Sequence, residues 1–142
     1  MADKVYFGHP INTYHTDLET MLITAIKGQF KDFDIVNPAA RHHRRAYAAR
    51  RKETGNGMNY FIDEVLPFCD IGVFLPFQNN LFGAGVYMEA AILHQQGKPI
   101  YEVMYNGFVL PLPFPCVERS MTVPETKMQL ALEKYTKRRR KR

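Results

Sequence analysis

The segment 68–103, FCDIGVFLPFQNNLFGAGVYMEAAILHQQGKPIYEV, constrains the fold more than any other part of the chain. After Asp70 comes the apolar run Ile71-Gly72-Val73-Phe74-Leu75, long enough for a buried strand and too short for a helix. Gly83-Ala84-Gly85 loosens the chain, and 87–96 has helical composition, with Ala90, Ala91 and Leu93 among strong helix formers. Gly97 stands where a helix C-cap is expected and Pro99 follows it, so 100–103 begins a second strand. Strand, helix, strand is a βαβ unit, whose crossover is right-handed in nearly all parallel sheets. Open α/β sheets bind ligands in the crevice at the C-terminal ends of their strands. Glu89, expected in the first helical turn just past the glycine-rich loop, belongs to that crevice. A first-turn glutamate also complements the helix dipole without any further role.

The N-terminal part repeats the pattern. Residues 4–8 (KVYFG) form a strand, 9–14 a loop rich in turn formers and hydrogen-bonding side chains, and 15–30 a helix. Thr16 or Asp17 can cap that helix, and Leu18, Met21, Leu22, Ala25 and Ile26 recur at helical spacing, with Gly28 near its end. Residues 33–36 are a second strand, stopped by Asn37-Pro38. Residues 59–68 form a helix leading into the central segment, offering Phe61, Ile62, Val65 and Leu66 to the core. Pro111, Pro113 and Pro115 alternate among large apolar residues, which forbids a central strand. That extended segment needs a surface to lie on, either its own sheet edge or a partner subunit. A last helix spans 125–135. The expectation is one α/β domain over 1–136, a parallel sheet with helices on both faces.

The 142 residues suit one domain with a real core. The net charge of +5 is unevenly placed. Residues 41–52 hold six basic side chains with His42 and His43, and 137–142 are all Lys or Arg, whereas 53–103 has Lys98 as its sole Lys or Arg. The terminal run reads as a solvated basic tail that could touch nucleic acid by charge alone, with affinity but no specificity. The segment 39–57 reads as a mobile surface insertion near the crevice mouth. It is either a solvated charged face or a lid whose arginines meet a phosphate, because guanidinium forks match phosphate oxygens. Cys69 and Cys116 lack CxxC spacing and are expected as reduced thiols in a cytoplasmic protein, Cys69 within the core. No apolar run reaches membrane-span length, so no membrane partner is expected.

Several pieces follow one another in a telling order. They are Val5-Tyr6-Phe7-Gly8, the loop through Pro10 and Asn12, the Cys69-Asp70-Ile71 strand entry, Gly85-Val86-Tyr87-Met88-Glu89 opening a helix, and Gly97-Lys98-Pro99 before a strand. Over 4–103 the chain resembles the nucleoside 2-deoxyribosyltransferase family and its nucleotide N-glycoside hydrolase relatives. The resemblance implies a flavodoxin-like (Rossmann-like) fold and cleavage of a base–sugar bond. It implies Glu89 as nucleophile at the anomeric carbon and Tyr6 holding its carboxylate. Gly8 and Gly85 let backbone approach the sugar, and Pro10, Asn12 and Met88 join them in binding substrate. Where the family often has an acid for the departing base, six residues before the glutamate, this chain has Gly83. Asp63 is offset by one residue from the family's other base-side aspartate. The acid role therefore falls among Asp63, Glu64, His9 and Asn79, with Asp63 first.

The chemistry agrees with those roles. Breaking an N-glycosidic bond builds positive charge on the sugar, which a carboxylate can stabilise or capture. A helix N-terminus would keep that carboxylate ionised. The expected activity needs neither metal nor organic cofactor. Arg41, Arg44 and Arg45 tilt the substrate from a nucleoside toward its 5′-monophosphate. The alternative is a non-catalytic nucleotide sensor on the same fold. Because the family is oligomeric, a homodimer or larger assembly is expected, with 108–114 as its interface.

Overall fold

A computed structural model describes residues 3 to 140. Five strands, β1 (Asp3–Gly8), β2 (Phe33–Val36), β3 (Ile71–Phe74), β4 (Ile100–Val103) and β5 (Val109–Leu112), form one sheet in the order β2-β1-β3-β4-β5. This is the flavodoxin-like order. β1 to β4 pair in parallel, whereas β5 runs antiparallel to β4 with Pro111 opposite Tyr101. The parallel sheet expected from the sequence thus carries one antiparallel strand, at its edge. A proline cannot donate to a ladder, and an edge strand is where that loss is tolerated.

Alternation along β1 divides the core in two. Val5 and Phe7 pack with Val73, Leu75, Val103 and with Leu22 and Ile26 of helix α1 (Asp17–Gln29). Tyr6 points to the opposite face, among Phe61, Leu66, Phe74, Val86, Ala90 and Leu93. Each such aliphatic or aromatic side chain contributes about 1.5–3 kcal/mol on full burial, so the two clusters fix the register. Thr16 caps α1 as expected, its hydroxyl accepting from the Glu19 amide at 3.2 Å.

The basic insertion forms a helix, α2 (Arg41–Thr54). It lacks an apolar stripe, but Tyr47 anchors it against the core. The Tyr47 ring occupies the space above Gly57, where an added Cβ would stand 2.6 Å from it. Arg50 of α2 adds ion pairs to Asp63, at 3.3 Å, and to Glu64. A helical run over 58–68, here α3, opens as an α-turn (Met58–Tyr60), widens to a π-helix (Phe61–Val65) and tightens to a 3-10 turn (Leu66–Phe68).

Helix α4 (Ala84–Gln95) starts three residues earlier than the composition suggests. Its first amide, Ala84, donates to the hydroxyl of Thr126 at 2.9 Å, a cap supplied from the far end of the chain. Glu89 therefore lies in the second turn, not the first. Gly97, at φ 75°, follows the helix end as expected. Helix α5 (Val123–Arg140) is longer than 125–135 and opens with a capping box, Thr122 and Glu125 each accepting the other's amide. The backbone of 137–140 continues this helix, and 141–142 lie outside the described residues. α5 ties to the strand-end loops through Glu133, which accepts from Asn12 Nδ2 at 2.9 Å and from the Gln78 amide at 3.1 Å. Among the described residues no helix is long and apolar enough to cross a membrane.

Candidate active site

The order β2-β1-β3 means that the chain leaves β1 to one side and returns to β3 on the other. Ligands bind at such switch points, beyond the strand C-termini. A cavity of about 190 Å³ lies there, lined by His9 and Pro10 after β1, Pro38 after β2, Phe77 after β3, and Gly83, Gly85 and Glu89 of the α4 segment. Arg44 and Tyr47 of α2, Tyr14, and Thr126 and Leu130 of α5 complete the wall. A hollow of about 380 Å³ at the β2 edge shares no lining residue with it.

Glu89 is 6% exposed, and Tyr6 on β1 is fully buried. The Tyr6 hydroxyl donates to Glu89 Oε2. Among the described residues Oε1 has no hydrogen-bond partner, yet it is not sealed from solvent, so it opens to the cavity that Glu89 lines. Gly8 makes room beside it, since a Cβ there would stand 3.1 Å from Oε1 and 2.6 Å from the Phe74 ring.

Burial pushes the Glu89 carboxyl up to about 8, against the opposing pulls of the Tyr6 bond and the Arg44 charge. This corrects the expectation that the helix terminus keeps it ionised. The second-turn position weakens the dipole, and desolvation of a charged form dominates. Burial first, then the neighbouring Glu89, push the Tyr6 phenol well above its ordinary value, so it remains a donor.

His9 is buried, stacked on Phe7 with ring centres 4.0 Å apart. Its Nδ1 lies 2.8 Å from the Phe7 carbonyl and its Nε2 2.7 Å from Glu19 Oε2. Both neighbours are oxygen acceptors, so the His9–Glu19 pair must hold a proton between its members in addition to the one on Nδ1. Burial lowers the His9 proton affinity, while Glu19 and the Phe7 carbonyl oppose that shift. With both nitrogens engaged, His9 is removed from the acid candidates. Its pair with Glu19 ties the loop after β1 to the first turn of α1.

Arg44 is the charged feature of the mouth. Its guanidinium carbon stands 4.7 Å from the Tyr47 ring centre and 5.4 Å from that of Tyr14. Its partners are rings, with no carboxylate in salt-bridge range among the described residues. On the outer side, Arg44 and Tyr47 also line an open shelf with Arg51 and Lys52.

Pro10, Gly85, Glu89 and Arg44 line the cavity, and Tyr6 and Gly8 of β1 stand against the Glu89 carboxyl. His9 lines the cavity as well, whereas Asp63, Glu64, Asn12, Met88, Arg41 and Asn79 do not. Asp63 and Glu64 lie between the inward residues Phe61 and Val65, so they face solvent and pair with Arg50. Asn12 is turned toward α5 by the 3-10 turn that buries Thr13. Met88 is exposed because its neighbour Glu89 points inward. Arg41 is exposed at the start of α2, a turn before Arg44. Asn79 folds onto its own loop, accepting from the Leu81 amide at 3.0 Å.

Sequence reasoning missed Tyr14, Tyr47, Glu19, Arg51, Thr126 and Leu130. The Thr16-x-x-Glu19 spacing and the 44, 48, 51 helical face were readable signals. The α5 residues carried none, because they reach the cavity only through tertiary packing. No family model, no curated protein and no solved structure matches this chain.

Proposed function

We propose that this protein cleaves the N-glycosidic bond of a nucleoside 5′-monophosphate, as a hydrolase or as a deoxyribosyltransferase that passes the sugar to a second base. One observation carries the reading: a buried carboxyl with Oε2 tethered by Tyr6 and Oε1 open to the strand-end cavity. A nucleophile of this kind needs one oxygen fixed and the other free. In the first step Glu89 in its ionised form, whose share grows as pH rises toward about 8, bonds through Oε1 to C1′ while the C1′–N pair leaves with the base. Water or a second base then opens the glycosyl ester and restores the carboxylate. Arg44 supports a phosphate at the mouth, because its ring-held fork is pre-oriented and lacks a carboxylate partner.

Assembly into a homo-oligomer through the β5 edge belongs to the same proposal. Phe108, Leu110 and Phe114 there are at least half exposed, more apolar surface than an isolated edge usually leaves uncovered. Free cysteines, Cys69 buried among them, fit a cytoplasmic setting.

The test is release of free base, followed by chromatography, from a panel of nucleosides and their monophosphates. Wild type should release base and Glu89→Ala should not, while both remain folded by circular dichroism. Undiminished release by Glu89→Ala would end the glycosidase reading. The sensor alternative has its own support, since Glu89 is the cavity's sole carboxylate among the described residues. Saturable nucleotide binding without base release would favour it.

A further inference from the structure

Among the described residues the cavity holds no second carboxylate, and the negative charge that builds on the departing base still has to be stabilised. The polar groups on its wall are few enough to take in turn. Glu89 is the nucleophile under the reading above. Both nitrogens of His9 are occupied by oxygen acceptors. The Thr126 hydroxyl accepts from the Ala84 amide at 2.9 Å and donates to the Thr122 carbonyl at 2.8 Å. Arg44 points its charge at the mouth between two rings. Two phenols are left, those of Tyr14 and Tyr47.

They differ in their surroundings. Tyr47 packs over Gly57 and also lines the outer shelf with Arg51 and Lys52, which Tyr14 does not. Tyr14 is held deeper, its ring 4.9 Å from that of His9, and its hydroxyl interacts electrostatically with Glu89 and Tyr6. Among the described residues that hydroxyl has no hydrogen-bond partner and is not sealed from solvent, and Tyr14 lines the same cavity as Glu89. Burial, then the Glu89 charge, hold the phenol above its ordinary range, which keeps its proton on oxygen.

We infer that Tyr14 is a catalytic residue that donates a hydrogen bond to the leaving base. This rests on the glycosidase reading and fills the role that no carboxylate fills here. As the C1′–N bond breaks, its electron pair goes to the base nitrogen and the Tyr14 O–H stabilises the resulting negative charge. The phenol keeps its proton. Water opening the Glu89 ester then adds hydroxide to the sugar and supplies the proton that neutralises the base. The His9–Glu19 pair acts behind Tyr14 as a buttress.

The test pairs Tyr14→Phe with two substrates. One is a purine nucleoside 5′-monophosphate, the other its N7-methylated form, whose base leaves neutral and needs no donor. The variant loses one oxygen and keeps both ring contacts. A loss of about 10²-fold in kcat/KM on the ordinary substrate is expected, with less than about tenfold on the methylated one. Equal losses on both, or no loss on either, would overturn the role of Tyr14 while leaving the glycosidase reading in place. A wild type silent on this pair and on the whole nucleotide panel would remove that reading, and Tyr14's role with it. Unchanged melting temperature of the variant keeps a folding defect from mimicking the result.

Discussion

Tyr6 and Glu89, 83 positions apart in sequence, share a buried hydrogen bond in which the phenol donates to Oε2. The carboxyl it holds carries a raised proton affinity, from the ordinary 4.5 to about 8. A pH-dependent stability follows. Below about pH 4.5 folded and unfolded chains both keep the proton, and nothing is lost. As pH rises toward 8 the unfolded chain ionises while the folded one does not, so folded stability falls. Above 8 the loss levels off. Glu89→Gln keeps an acceptor for Tyr6 and removes the titration. It should match wild type near pH 4 and exceed it by a few kcal/mol near pH 9, since a tenfold change in proton affinity corresponds to about 1.4 kcal/mol. Urea melts of both proteins at the two pH values measure this, and a constant difference would show that Glu89 is ionised when folded.

Arg44 should govern recognition of the phosphate rather than the chemistry. It touches the cavity mouth, and its support comes from the Tyr14 and Tyr47 rings rather than from a carboxylate. A hydrogen bond to a charged group is worth about 1.5–3 kcal/mol. Arg44→Ala should therefore raise KM for a nucleoside 5′-monophosphate by roughly 10- to 100-fold and leave the unphosphorylated nucleoside nearly unchanged. Arg44→Lys should recover only part, because an ammonium neither forks nor stacks. Equal losses for nucleotide and nucleoside would place the arginine's effect in the fold instead.

What could be read from the chain alone was whatever is carried by neighbours in sequence. β2 and β4 fall on their expected residues because short apolar runs with proline or glycine stops are local signals. Tyr6, Gly8 and Glu89 converge because β1 and α4 flank one switch point, and order alone dictates that. The start of α4 was misjudged because its cap, Thr126, comes from 42 residues downstream. Asp63 was misplaced because a π-helical turn changes which side chains face inward, and no composition rule marks such a turn. α2 was read as loose because its anchor is one tyrosine rather than a stripe. The acid for the leaving base was sought among Asp63, Glu64, His9 and Asn79, whereas the cavity wall also carries phenols, and Tyr14 gave no periodic signal in a short turn-rich loop.

Gly8 tests the packing on which the open oxygen depends. The residue ends β1 beside Phe74, whose ring is fully buried and leans on the Tyr6 ring at 6.2 Å. A Cβ at position 8 would meet that ring at 2.6 and 2.8 Å and Glu89 Oε1 at 3.1 Å. The ring has nowhere to go without disturbing Tyr6, and the carboxyl would lose the space on its free side. Gly8→Ala should cost about 1–3 kcal/mol in overpacking and depress kcat at the same time. Gly28→Ala is the matched control, because a Cβ there meets nothing within 4 Å on helix α1. That change should be neutral or stabilising by about 0.5–1 kcal/mol, with activity intact. Thermal melts and base-release rates of the two variants decide the matter. Should Gly8→Ala behave like Gly28→Ala in both assays, the space beside Oε1 is not the one the reaction uses.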